Sequence, residues 1–253
     1  MRALMRTAIV SIALLTSMGA GRLSAQTSPD DPRFRVSVNA GFQPTAHSFD
    51  STTTPVVYLE KASIHTPYNV GRGPLFDGGL TCRIGGGLGV GVVASWFSKA
   101  SDTTVDASLP HPFFFNTPRL ISGPAGGLRR EELATHLQLV YTIRPVERID
   151  VALTAGPSFF RVKQDFVSNV SFADTYPYDV PVFTAALSQQ ASSNKTGFNV
   201  GADVTMRLSD RLGVGVLARY TKASMVFTVP NSSTTVTTDA GGLQAVGGIR
   251  LYF

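Results

Sequence analysis

The chain has 253 residues, 43% of them hydrophobic and 15% charged, with a formal charge of +5 and a single cysteine. Its Lys and Arg residues are scattered, without the block that a nucleic-acid surface needs. Cys82 has no CxxC or Cys/His cluster around it, so neither an intramolecular disulfide nor a thiolate metal site is expected.

The chain begins MRALMRTAIVSIALLTSMGAGRLSAQ, with Arg2 and Arg6 ahead of an apolar run from Ala8 to Leu15 and small residues at Ala20 and Ala25. That is the anatomy of a secretory signal peptide, predicted over 1–25 with cleavage after Ala25. The apolar run is shorter than the about 20 residues of a spanning helix. Losing 1–25 removes Arg2, Arg6 and Arg22 and no acid, which lowers the charge from +5 to +2. A short segment, 26–33, follows, and then a single domain over 34–253.

That domain opens with FRVSVNAGFQ, which places Phe34, Val36, Val38, Ala40 and Phe42 on one face and Arg35, Ser37, Asn39, Gly41 and Gln43 on the other. Period two predicts a strand with unlike faces. FDGGLTCRI (76–84) and LGVGVVASW (88–96) set Phe76, Leu80, Ile84, Leu88, Val92 and Trp96 against Asp77, Arg83, Gly89, Gly91 and Ser95. LRREELATHLQL, from Leu128 to Leu139, is the one segment that invites a helix. From Leu133 onward, however, Leu137, Leu139, Tyr141 and Ile143 alternate with His136, Gln138 and Thr142. IDVALTAGPSF (149–159), FNVGADVTMRL (198–208), LGVGVLARY (212–220) and GGLQAVGGIRLYF (241–253) complete eight predicted strands.

The connections alternate as well. Gly85-Gly86-Gly87, RPVER (144–148) and SDR (209–211) are tight turns, whereas 45–74, 98–128, 165–195 and 222–240 are long and rich in Ser, Thr, Pro and Asn. Short turns at one end and long polar loops at the other predict an all-β fold, a transmembrane antiparallel up-and-down β-barrel. Ten strands would result if VVYLEKASIH (56–65) entered the membrane with a partner, although Glu60 and Lys61 favour an extramembrane hairpin. Phe34 to Phe42, Leu88 to Trp96, Leu133 to Tyr141 and Leu212 to Tyr220 are evenly separated on the apolar face. That separation is about 26 Å along a strand and about 20 Å of height at a tilt near 40°, close to the apolar band between aromatic girdles. The predicted girdle comprises Phe34, Phe42, Trp96, Tyr141, Phe159 and Tyr220.

LGVGVVASWFSKAS (88–101) and LGVGVLARYTKAS (212–224) are near copies, each holding GxGxxA. A dinucleotide-binding turn needs a helix to start at those glycines. Here they fall on the inward face of a continuing strand, where Gly leaves room in a narrow interior.

With a signal peptide, alternating strands, three tight turns and a terminal IRLYF, the chain resembles the small eight-stranded outer-membrane β-barrel proteins, the group of the OmpA transmembrane domain, OmpX and OmpW. The resemblance implies that Phe253, with Leu251 and Ile249 before it, is the signal read by the outer-membrane insertion machinery. It implies a Gram-negative-type outer membrane, termini in the periplasm, and a lipid bilayer with lipopolysaccharide around the barrel. No peptidoglycan-binding domain follows Phe253, so cell-wall tethering is not expected.

The inward face would carry Arg35, Asn39, Asp77, Arg83, Glu132, His136, Gln138, Asp150, Asp203, Arg207, Arg219 and Arg250. Eight strands leave an interior wide enough only for side chains, and buried charges must pair, so this set predicts a plugged, salt-bridged lumen. The alternative is a small gated pore or transporter for ions or small apolar solutes, lined by the same residues. A soluble lipid-binding barrel of the lipocalin type would instead have the apolar face inside. None of His47, His65, His111 and His136 shows Ser/His/acid spacing, so neither catalysis nor a cofactor is expected. HPFFFNTPRL and SFADTYPYDVPVF bring Phe113, Phe114, Phe115, Tyr176, Tyr178 and Phe183 to the long loops. These residues either pack where strands rise above the membrane or bind an extracellular ligand or surface partner. The expected role is structural or cell-surface interaction.

Overall fold

The computed structural model describes residues 32–232 and 234–253. The predicted signal peptide, 1–25, lies outside the described residues, as does 26–33 except for its last two positions. The described residues form β-strands without a helix: β1 (Phe34–Gln43), β2 (His47–Thr53), β3 (Val56–Val57), β4 (Glu60–Lys61), β5 (Ser63–Val70), β6 (Gly73–Gly85), β7 (Leu88–Pro110), β8 (Pro118–Val146), β9 (Ile149–Ala173), β10 (Val182–Arg207), β11 (Leu212–Thr228) and β12 (Thr235–Tyr252). The helix-inviting segment 128–139 lies wholly inside β8, where residues alternate between buried and exposed.

Eight antiparallel strands close a ring in the order β7-β6-β1-β12-β11-β10-β9-β8, with β8 pairing back onto β7. β1 joins β12 from Arg35↔Tyr252 to Phe42↔Ala245. Below that ladder, Phe34 N donates to Phe253 O at 3.0 Å and Phe253 N to Phe34 O at 2.9 Å, so the closing pair extends to the last residue. β2 and β5 are not extra spanning strands. They continue β1 and β6 upward after breaks at 44–46 and 71–72, and the ring count stays at eight. Pro44 lies at the first break and has no N–H with which to extend the ladder to β12.

The four long connections predicted as polar loops are mostly strand, which corrects that expectation. Only 54–62 (with the small β3–β4 hairpin), 111–117, 174–181 and 229–234 connect the long hairpins. β8 alone runs 29 residues, against the about 9–11 that cross a bilayer. The reason is a polarity inversion. On β9, Leu153 and Phe159 face out while Asp150, Thr154 and Ser158 are buried. Higher on the same strand Phe160, Val162 and Phe166 are buried, and Arg161 faces out. On β11 the buried row passes from Arg219 and Thr221 to Ala223, Met225 and Phe227, while the outer row passes from Tyr220 to Lys222. Alternation continues, interrupted on β9 where Phe166, Val167 and Ser168 are all buried, but the composition of the two faces exchanges, so these stretches have the overall composition of loops.

The ring also changes above this level. The β8–β9 ladder ends at Arg130↔Gln164, β10–β11 at Phe198↔Lys222 and β1–β12 at Phe42↔Ala245. Beyond these points the β2-β5-β7-β8 sheet, the β9–β10 hairpin and the β11–β12 hairpin surround one apolar core that includes Ile64, Leu109, Ile121, Phe166, Met225 and Phe227.

Candidate functional site

The ring brings inward residues of five strands, β1, β6, β10, β11 and β12, into one polar network. Asp77 accepts from Asn39 Nδ2 at 2.8 Å and from Arg219 Nη2 at 2.7 Å. Arg219 Nε donates to Gln244 Oε1 at 2.9 Å, and Gln244 Nε2 to Gln43 Oε1 at 3.1 Å. Arg250 donates to Asp203 Oδ2 at 2.9 Å and to Asn39 Oδ1, while Thr205 Oγ1 donates to Asp203 Oδ1 at 2.7 Å. A Cβ added at Gly215, one of the glycines in the repeated GxGxxA, would stand 2.7 Å from Val204 O and 3.0 Å from Arg250 Nε. Glycine is what admits that guanidinium.

At the top of the polar section Arg130 Nε donates to Glu132 Oε1 at 2.7 Å, and Glu132 Oε2 accepts from Gly241 N at 2.9 Å. At the bottom Asp150 accepts from Arg207 Nε at 2.7 Å, Arg144 Nε at 2.8 Å and the Tyr252 hydroxyl at 3.2 Å, with Arg207 over the Tyr252 ring at 4.6 Å. Arg35 and Arg83 lie half-buried near this short-turn end. Four carboxylates thus meet arginines in the interior, which offsets the several kcal/mol per ion that burial costs. Arg130 Nη1, Arg219 Nη1, Arg250 Nε, Gln43 Nε2 and Thr221 Oγ1 are buried with hydrogen-bonding capacity still unfilled.

His136 is fully buried between two hydroxyls: Nε2 lies 2.9 Å from Ser95 Oγ and Nδ1 2.7 Å from Ser158 Oγ. Asn199 Nδ2 also donates to Ser158 Oγ at 2.9 Å, and Gln138 Nε2 to Asn199 Oδ1 at 3.0 Å. A Ser–His pair needs a carboxylate or similar group to orient the ring and an approach for substrate. Here the second ring nitrogen meets another serine, so the two contacts bridge β7, β8 and β9. Of the remaining histidines, His47 and His65 lie on β2 and β5, not in loops as expected. No three His, Cys, Asp or Glu side chains among the described residues gather as metal ligands.

The outer surface carries Phe34, Phe42, Trp96, Tyr141, Phe159 and Tyr220, all exposed, together with Ile249, Leu251 and Phe253 at the short-turn end. Two further aromatics belong with them: Phe76 stacks on Trp96 with centroids 5.9 Å apart, and Phe198 meets Tyr220 at 6.1 Å. Strand parity marked both as outward. Gln43, Arg130, Arg144, Asn199, Gln244 and Tyr252 are among the interior residues that sequence reasoning left out. All six share parity with the predicted network on their own strands. Arg144 was missed because RPVER reads as a turn, whereas Arg144 lies near the end of β8 and reaches Asp150 across the β8–β9 hairpin.

At the opposite end three connections are tied together. Arg119 on β8 forms a 2.6 Å ion pair with Asp174 and donates to Tyr178 O at 2.7 Å. Tyr58 Oη donates to Asp174 at 2.9 Å and Asn116 N to Glu60 Oε1 at 3.1 Å. His111 Nδ1 accepts from Phe113 N and Phe114 N at 3.1 and 3.2 Å. Burial pushes the Asp174 carboxyl up, but hydrogen bonds from Arg119 and Tyr58 and the Arg119 charge outweigh it and hold it below the usual carboxylate range. Phe183, expected among the loop aromatics, instead packs against the upper core beside Gly123, where an added Cβ would collide with its ring.

No protein-family model matches the chain, and no curated protein matches it. Solved structures similar to it are outer-membrane proteins, the class on which the sequence resemblance rested. Neisserial surface protein A shares 14% identity over 87% of this chain and 97% of its own, with a TM-score of 0.44. The outer membrane protein OprG from Pseudomonas aeruginosa shares 12% over 88% and 97%, with a TM-score of 0.43. The outer membrane protease OmpT from Escherichia coli shares 8% over 91% and 100%, with a TM-score of 0.49.

Proposed function

We propose that this chain is an integral outer-membrane β-barrel of a Gram-negative-type bacterium, filled by its own side chains and acting in a structural or cell-surface interaction role without catalysis. The observation that carries the reading is the polarity inversion along single strands. A band that is apolar outside and polar inside suits a bilayer. The segment above it, polar outside and apolar inside, suits water. In this reading 1–25 exports the chain, both termini of the barrel face the periplasm, and the long hairpins stand outside the cell among the lipopolysaccharide. The outward aromatics form the girdle, and Ile249, Leu251 and Phe253 are read by the insertion machinery. Closure is supported by two stacked fillings, the ion-paired network below and the apolar core above.

A second reading, a small gated pore for ions or small apolar solutes, draws on the buried donors with capacity to spare, Arg130 Nη1, Arg219 Nη1 and Gln43 Nε2. Planar-bilayer recording of refolded protein separates the two. The filled barrel is expected to leave the bilayer quiet, and reproducible conductance steps from verified folded protein would reject it in favour of the pore.

A further inference from the structure

The tips of the long hairpins form one surface with its polarity turned outside in. Phe113, Phe114 and Phe115 are 67%, 63% and 70% exposed, flanked by exposed Leu59, Tyr176 and Val180. The polar groups beneath are engaged with one another: Arg119, Asp174, the Tyr58 hydroxyl and Glu60 tie the three connections together. Four of the five non-glycine residues with positive φ among the described residues, Tyr58, Leu59, Asn116 and Tyr178, lie here. Such backbone costs persist where surrounding structure enforces them, and they cluster at ligand clamps. The result is a braced aromatic platform, not a set of independent loops.

From this platform we infer a lipid-docking surface that inserts into an apposed membrane with electroneutral headgroups, an inference that rests on the long hairpins facing the cell exterior. Three features favour that occupant. A protein partner is normally met by a hydrogen-bonding rim of matching charge, whereas here Arg119, Asp174, the Tyr58 hydroxyl and Glu60 bond one another beneath the rings. The exposed charges of the three connections, Lys61 and Asp179, are of opposite sign, so the tip offers no net attraction to anionic lipid. The 14 residues from Trp96 to Pro110 lift the platform about 35 Å above the aromatic row, so the protein's own bilayer is out of reach.

The test places the whole mature protein in lipid nanodiscs and first verifies the folded barrel by its heat-modifiable gel mobility. Failure at that step rejects the outer-membrane reading itself. The nanodiscs are then titrated with phosphatidylcholine vesicles carrying brominated acyl chains, using Phe114→Trp in a Trp96→Phe background as the sole tryptophan. Quenching that is indifferent to salt and to added phosphatidylglycerol is expected. Vesicle association should fall by about tenfold or more in the Phe113→Ser/Phe114→Ser/Phe115→Ser variant, as expected when three aromatic anchors are lost. Absence of binding, binding that requires anionic lipid, or binding retained by the triple variant each overturns the inference. So does binding only to cell-derived membranes that is abolished by protease, which would assign the platform to a protein partner.

Discussion

Asp77 serves two partners at once, Asn39 at 2.8 Å and Arg219 at 2.7 Å, with all three side chains buried. Removing one member of a buried ion pair strands the other charge, and the usual cost is about 3–5 kcal/mol. Asp77→Ala is therefore expected to lower stability by that amount in urea unfolding followed by gel mobility. Asp77→Ala/Arg219→Ala should cost clearly less than the two single changes added together; strict additivity would mean that the pair is not coupled. The glycines allow a companion contrast. Gly215→Ala drives a methyl against Val204 O and Arg250 and should cost about 1–3 kcal/mol, whereas Gly78→Ala meets nothing nearer than Ser37 O at 3.8 Å and should be close to neutral. Equal losses at the two positions would deny that Gly215 is there to admit Arg250.

Among the elements, the hairpin tips hold together through Arg119 and Asp174. Because the folded state holds Asp174 below the ordinary carboxylate range, its contribution is complete above about pH 4 and is lost as acid protonates it through the depressed value. Amide hydrogen exchange in 111–117 and 174–181 should therefore be slow at neutral pH and accelerate, after correction for intrinsic rates, toward about pH 3. Arg119→Ala should show the fast exchange already at neutral pH, and protection unchanged by either treatment would leave the brace without support. These elements also mark where the sequence could be read and where it could not. Eight strands, their inward rows and the closing pair of β1 with β12 were legible because period-two alternation with a polar and an apolar face needs no tertiary knowledge. The upper halves of β7 to β12 were read as loops because their Ser and Thr residues face outward, and because Met225, Phe227 and Phe166 had exchanged roles with the charged residues below them. The Arg119–Asp174 brace joins residues brought together only by the fold, and nothing local announces it.

For the molecule as a whole, the proposed closure is made of two layers that fail independently. The lower layer is ionic, centred on Arg219, Asp77, Arg250 and Asp203. The upper layer is aromatic: Phe49 stacks on Tyr68 at 4.9 Å, Tyr68 meets Phe166 at 5.6 Å and Phe166 meets Phe227 at 5.6 Å. Ions need a continuous hydrated path, and an apolar constriction blocks one by excluding water. Arg219→Ala should therefore stay silent in a planar bilayer, because the aromatic layer still bars the way. Phe166→Ala/Phe227→Ala should stay silent as well, since the paired charges below still fill the barrel, although losing two buried rings costs stability at about 3–5 kcal/mol each. Combining all three substitutions is the first variant expected to conduct, provided that folded protein is verified by gel mobility. Steps from Arg219→Ala alone would show that the ionic layer carries the whole closure, and silence from the folded triple variant would show that neither layer is what keeps the barrel shut.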